Sequence, residues 1–115
     1  MMDRRFHLIL ETFSSRKRNT VIYNVENAIH SAGGWILDFN SFSDTLINFV
    51  IECDHHKIHQ LYQLLTGSGI EFYEYSLDQF REILNRKIKT ELLISLNISF
   101  VGGEKGDLGS RIDDG

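Results

Sequence analysis

A chain of 115 residues, 42% hydrophobic and 24% charged, has the length and composition of one globular domain that can bury a core without metal or disulfide staples. Twelve basic residues against sixteen acidic ones give a net charge of −4, which excludes the broad basic face that nucleic-acid phosphates require. The single cysteine, Cys53, excludes an intramolecular disulfide and fits a reducing compartment; no apolar run approaches membrane length. The expectation is a cytoplasmic protein with no nucleic-acid and no membrane partner.

In chain order, alternation of Phe6, Leu8 and Leu10 predicts a first strand over Arg5–Phe13, with His7, Ile9, Glu11 and Phe13 on its other face. The loop Ser14-Ser15-Arg16-Lys17-Arg18 leads to Asn19 or Thr20, either of which suits a helix N-cap. Val21, Ile22, Val25, Ala28, Ile29 and Ala32 then recur at helical spacing, and Gly33-Gly34 supplies a left-handed stop. Trp35–Phe42 and Thr45–Cys53 read as a hairpin turning through Ser41–Asp44. Asp54 caps a second helix that points Ile58, Leu61, Tyr62 and Leu65 inward until Gly67-Ser68-Gly69. Ile70–Ser76 reads as the fourth strand. Leu77, Phe80, Leu84 and Ile88 are spaced for a third, charged helix, and Leu92–Val101 alternates as a fifth strand. The ending from Gly102 to Gly115, with five glycines and four acidic residues, reads as a flexible tail.

The order strand–helix–strand, twice over, specifies an α+β two-layer sandwich with two helices on one face of an antiparallel sheet, plus an additional C-terminal helix and strand. The expected domain layout is a core over residues 1–76, a helix–strand extension of the same domain over 77–101, and the tail over 102–115. With the helices covering Phe6, Leu8, Leu10, Phe49 and Ile51, the opposite face presents Ile9, Phe13, Leu46, Val50, Tyr73 and Tyr75. A sheet facing water is polar there. These six residues therefore predict a second cover, supplied by the third helix or fifth strand of the same chain, or by a second copy in a homodimer.

Three features carry a family resemblance: the first helix ending in Ala32-Gly33-Gly34, the following Trp35-Ile36-Leu37-Asp38, and the hairpin into Leu46–Glu52. Over residues 5–76 the chain resembles the ferredoxin-like βαββαβ architecture and, within it, the ACT domains, small regulatory modules that commonly bind amino acids. The resemblance implies a non-enzymatic regulatory module with a small-molecule effector near the loop joining first strand to first helix, at a contact between two domains. That loop is Thr12–Thr20 here and carries neither the acidic residue nor the glycine usual in the family. Its polar side chains Ser14, Ser15, Asn19 and Thr20 are the candidate ligand contacts.

Two alternatives stand beside this reading. His55 and His59, four residues apart on a helix, share a face and form the alternative metal pair of a small metalloprotein or enzyme, with Asp54, His56 or a residue from elsewhere as a third ligand. Otherwise the third helix and fifth strand exchange between subunits in a structural oligomer. Arg16-Lys17-Arg18 reads as solvated loop charge, with phosphate binding as the competing view. Cys53, followed by Asp54, reads as a structural thiol, and the chain carries no catalytic signature or cofactor motif.

Overall fold

The computed structural model describes residues 5–86 and 89–102. Its elements are β1 (Phe6–Ser14), α1 (Arg18–Ser31), β2 (Trp35–Ser43), β3 (Leu46–Cys53), a 3-10 turn (His55–Lys57), α2 (Ile58–Thr66), β4 (Glu71–Phe72), α3 (Glu74–Asn85) and β5 (Leu92–Phe100). They form an α+β fold whose five strands lie in the order β2-β3-β5-β1-β4.

Local chemistry accounts for the termini. The α1 helix stops in a Schellman arrangement. Gly33, at φ 81°, donates its amide to His30 O, and Gly34 donates to Ile29 O, satisfying carbonyls the helix leaves open. Its start differs from expectation. The N-cap is Lys17, which makes no side-chain cap bond, so Asn19 and Thr20 lie inside the first turn. Asp54 does cap, but its carboxylate accepts from the His56 amide and closes the 3-10 turn that leads into α2.

Leu8, Leu10, Ile47, Phe49, Ile51, Ile94, Leu96 and Ile98 form one core with Val21, Val25, Ile29, Leu61 and Leu65 from the helices. Each such side chain contributes roughly 1.5–3 kcal/mol on burial. The first two helices thus cover one sheet face, as the spacing predicts.

The sheet departs from the antiparallel expectation. β5 lies between β1 and β3, parallel to β1 (Leu8 opposite Ile94) and antiparallel to β3 (Phe49 opposite Leu96). The sheet is therefore mixed. The supposed extension occupies its centre because Leu92, Ile94, Leu96 and Ile98 give one uninterrupted apolar row, all fully buried.

The fourth strand is also shorter than Ile70–Ser76. Only Glu71 and Phe72 pair with β1. Tyr73 donates its amide to Glu11 O, and Ser76 Oγ accepts the Glu11 amide, so the chain turns into α3 along the β1 edge. Tyr73 caps α3 and Tyr75 sits in its first turn, neither on a strand. Phe80 and Ile83 carry α3 into the core, and Phe80 packs edge-on to Tyr62, centroids 5.0 Å apart. The predicted helix position Ile88 and the tail from residue 103 lie outside the described residues.

Candidate functional site

The sheet face away from α1 and α2 is the first candidate. Register aligns Glu11, Asn97, Asn48 and Asn40 across four adjacent strands. Asn40 Nδ2 donates to Asn48 Oδ1 at 3.1 Å, Asn48 Nδ2 to Asn97 Oδ1 at 2.8 Å, and Asn97 Nδ2 to Glu11 Oε2 at 3.0 Å. Asn48 is 5% exposed and also donates to Ser95 Oγ at 2.9 Å. A buried amide needs such partners, because one left unpaired costs about 1–3 kcal/mol.

The strand β5, which carries Asn97, divides the six-residue apolar face. Phe13, Tyr73, Tyr75 and Ile9 gather on the β1–α3 side, with Phe13 and Tyr73 centroids 4.9 Å apart and Tyr73 and Tyr75 stacked at 6.0 Å. Leu46 and Val50 lie across the sheet on β3. Between them runs β5, presenting Ser95, Asn97 and Ser99. The patch read from sequence assumed β1 and β3 to be neighbours; the inserted strand separates them. Asparagines in the middle of two strands, where that residue is normally depleted, were the available signal for a polar row.

A second apolar surface lies on β2. This is an edge strand, paired only with β3, and two register irregularities break its alternation, at Leu37 and at Phe42. Bulges re-aim side chains. Leu37 is 49% exposed, Phe42 64% and Trp35 70%, and the strand buries none of its residues fully. Beside Trp35 in register, Glu52 pairs with Arg5 at 3.2 Å. The charge on Glu52, with its hydrogen bond, holds the Glu91 carboxyl above its usual range.

The candidate loop residues scatter. Ser14 is buried, donating to Gly69 O at 2.7 Å and accepting the Arg16 amide at 3.1 Å, so its hydroxyl serves the fold. Ser15, Asn19 and Thr20 are exposed. Arg16 lies against Gly69, whose φ of 98° requires glycine, and Arg18 donates to Ser41 Oγ at 2.6 Å. The basic triplet therefore points in different directions. A groove of about 480 Å³ lies instead between β1 and α3, walled by Phe6, Ile9, Tyr75, Gln79, Glu82 and Arg86, with the Arg86 guanidinium 5.5 Å from the Phe6 ring centroid.

Around the second helix, Asp54, His55 and His56 each bring one ligand atom within 4.8 Å of the others, and His59 is not in that group. His59 Nε2 lies 3.3 Å from Gln63 Nε2. Hydrogen bonding from the His56 amide holds the Asp54 carboxyl below its ordinary range. Burial, seconded by the Asp54 charge, pushes the Cys53 thiol up to about 11, and its Sγ donates to Asp54 O at 3.4 Å.

No family model, curated protein or solved structure matches this chain. Among the described residues, no helix is long and apolar enough to cross a membrane.

Proposed function

We propose that the protein is a non-enzymatic regulatory or binding module that self-associates through its sheet, as a homodimer joined along β2. The observation that carries this reading is the exposure of Trp35, Leu37 and Phe42 on an edge strand. Natural edges are blunted by lysine, proline or inward charge. β2 holds no lysine and no proline, and Asp38 is its one charged residue. A two-fold contact sets this strand against its own copy, so that each apolar side chain meets an apolar partner. The bulges at Leu37 and Phe42 make the contact one of side chains more than of a continuous backbone ladder.

The resemblance to ACT-like, ferredoxin-like domains draws support from strand directions. With β5 set aside, the order is β2-β3-β1-β4, as in a four-stranded βαββαβ sheet with one strand inserted. A small-molecule effector finds more room in the β1–α3 groove than at the Ser14–Thr20 loop. The non-enzymatic part rests on Cys53, a buried thiol whose upward shift is the wrong direction for a nucleophile.

Sedimentation velocity at about 50 µM, a concentration at which micromolar association is visible, tests the reading. The expected species is a dimer that Trp35→Lys combined with Phe42→Lys converts to a folded monomer. A monomeric parent, or a dimer indifferent to those substitutions, overturns it.

A further inference from the structure

Outside the sheet, the turn between β3 and α2 assembles three donors that the self-association reading does not use. Consecutive residues of a 3-10 turn point about 120° apart. Yet the His55 and His56 rings lie close together, tilted 36° with centroids 3.9 Å apart, and each brings its Nδ1 toward the carboxylate of Asp54. Asp54 Oδ1 lies 3.5 Å from His55 Nδ1 and 2.9 Å from His56 Nδ1. In a tetrahedral zinc site with bonds of about 2.0–2.1 Å, neighbouring ligand atoms stand about 3.3 Å apart. The two Asp54 spacings straddle that edge length and the three ligand atoms lie within 4.8 Å of one another, so rotation of the two imidazole rings about their χ angles would turn their lone pairs onto one ion beside the carboxylate.

The backbone beneath is held firmly. Cys53 on one side and Ile58 on the other are buried, and the Lys57 amide donates to Asp54 O at 2.9 Å. The neighbouring ammonium of Lys57 is directed away, its Nζ lying against Gly33. The His56 side chain is 77% exposed, which leaves one side of the cluster open to water for the remaining coordination positions.

We infer that Asp54, His55 and His56 form a binding site for a divalent transition-metal ion. Two imidazoles and one carboxylate suit Zn²⁺ or Ni²⁺, whereas Ca²⁺ and Mg²⁺ take oxygen ligands almost throughout. The site differs from the helical pair His55 and His59, because His59 belongs to α2 while the ring of His56 comes from the turn itself.

Calorimetric titration of ZnCl₂ into the full chain, purified without a histidine tag, tests the site. One ion per chain with a Kd of about 10 µM or tighter is the expected result. Substitution of His55 and His56 together by Ala weakens binding at least about tenfold, His59→Ala changes it less than about twofold, and MgCl₂ gives no saturable heat. Should the double variant fail to fold, His56→Ala alone, at an exposed position, gives the same readout. Absence of saturable Zn²⁺ binding overturns the inference, as does unchanged binding in the histidine variants or a loss confined to His59→Ala. None of these outcomes bears on the dimer, which is read by sedimentation without metal.

Discussion

β5 and β2 are both nine residues long, both rich in large apolar side chains, and opposite in fate. β5 lies between β1 and β3, and its row Leu92, Ile94, Leu96, Ile98 is wholly buried. β2 lies at the edge, is interrupted at Leu37 and Phe42, and buries nothing fully. Apolar content therefore does not decide burial. An unbroken period of two lets a strand present one clean face to the helices and one polar face to the other side. Two insertions in nine residues remove that possibility and turn the apolar groups outward.

The comparison can be broken in order of effect. Ending the chain at residue 90 removes the partner of both β1 and β3, and loss of any cooperative thermal transition by circular dichroism is expected. A truncated chain that still melts cooperatively would show that the first strands close a sheet without β5. Next, Leu96→Ala is expected to destabilise by about 3 kcal/mol in urea unfolding, since a fully buried leucine leaves a cavity. Leu37→Ala, at a bulge exposed in the single chain, is expected to cost under about 0.5 kcal/mol in the monomeric Trp35→Lys, Phe42→Lys background. Similar values for the two would erase the distinction between centre and edge.

Asn48→Ala comes third, at about 1–3 kcal/mol, because it leaves the Asn40 and Asn97 amides short of partners in a half-buried row. Asn48→Leu is expected to cost as much or more, as it sets an apolar group within the same polar row. A neutral result would mean that water replaces the ladder. The last effect is confined to alkaline pH and concerns Cys53. Its thiol is raised from 9.0 to about 11, so the folded state holds the proton more tightly than the unfolded chain. The associated stabilisation is complete below pH 9 and fades as pH rises toward 11. A falling urea midpoint between those values, absent in Cys53→Ala, is the expected signature. A parallel fall in both proteins would assign it to other groups.

Much of the fold was legible locally. The α1 stripe and its Gly33-Gly34 stop, the hairpin, and the inward face of α2 follow from spacings of two, three and four residues. The α3 helix was legible in kind but displaced, because Tyr73 and Ser76 bond to the β1 edge at Glu11, 62 and 65 positions away, and no local pattern records that. The candidate site was less legible. Ile9, Phe13, Leu46, Val50, Tyr73 and Tyr75 were grouped on the premise that β1 and β3 adjoin. Ser14 resembled a ligand contact until Gly69 claimed its hydroxyl.

The sequence by itself determined which segments are helical or extended, save around Tyr73–Ser76, and which side is apolar, save on the bulged β2, because those depend on neighbours within a turn or two. It also determined that one cysteine is available, and that Asp54 precedes two histidines. Only the tertiary structure decided which strand lies beside which. Backbone hydrogen bonding is indifferent to side-chain identity, so β5 satisfies β1 and β3 as well as they would satisfy each other. That single non-local choice set the Asn40–Asn48–Asn97–Glu11 row across the sheet and divided the apolar face.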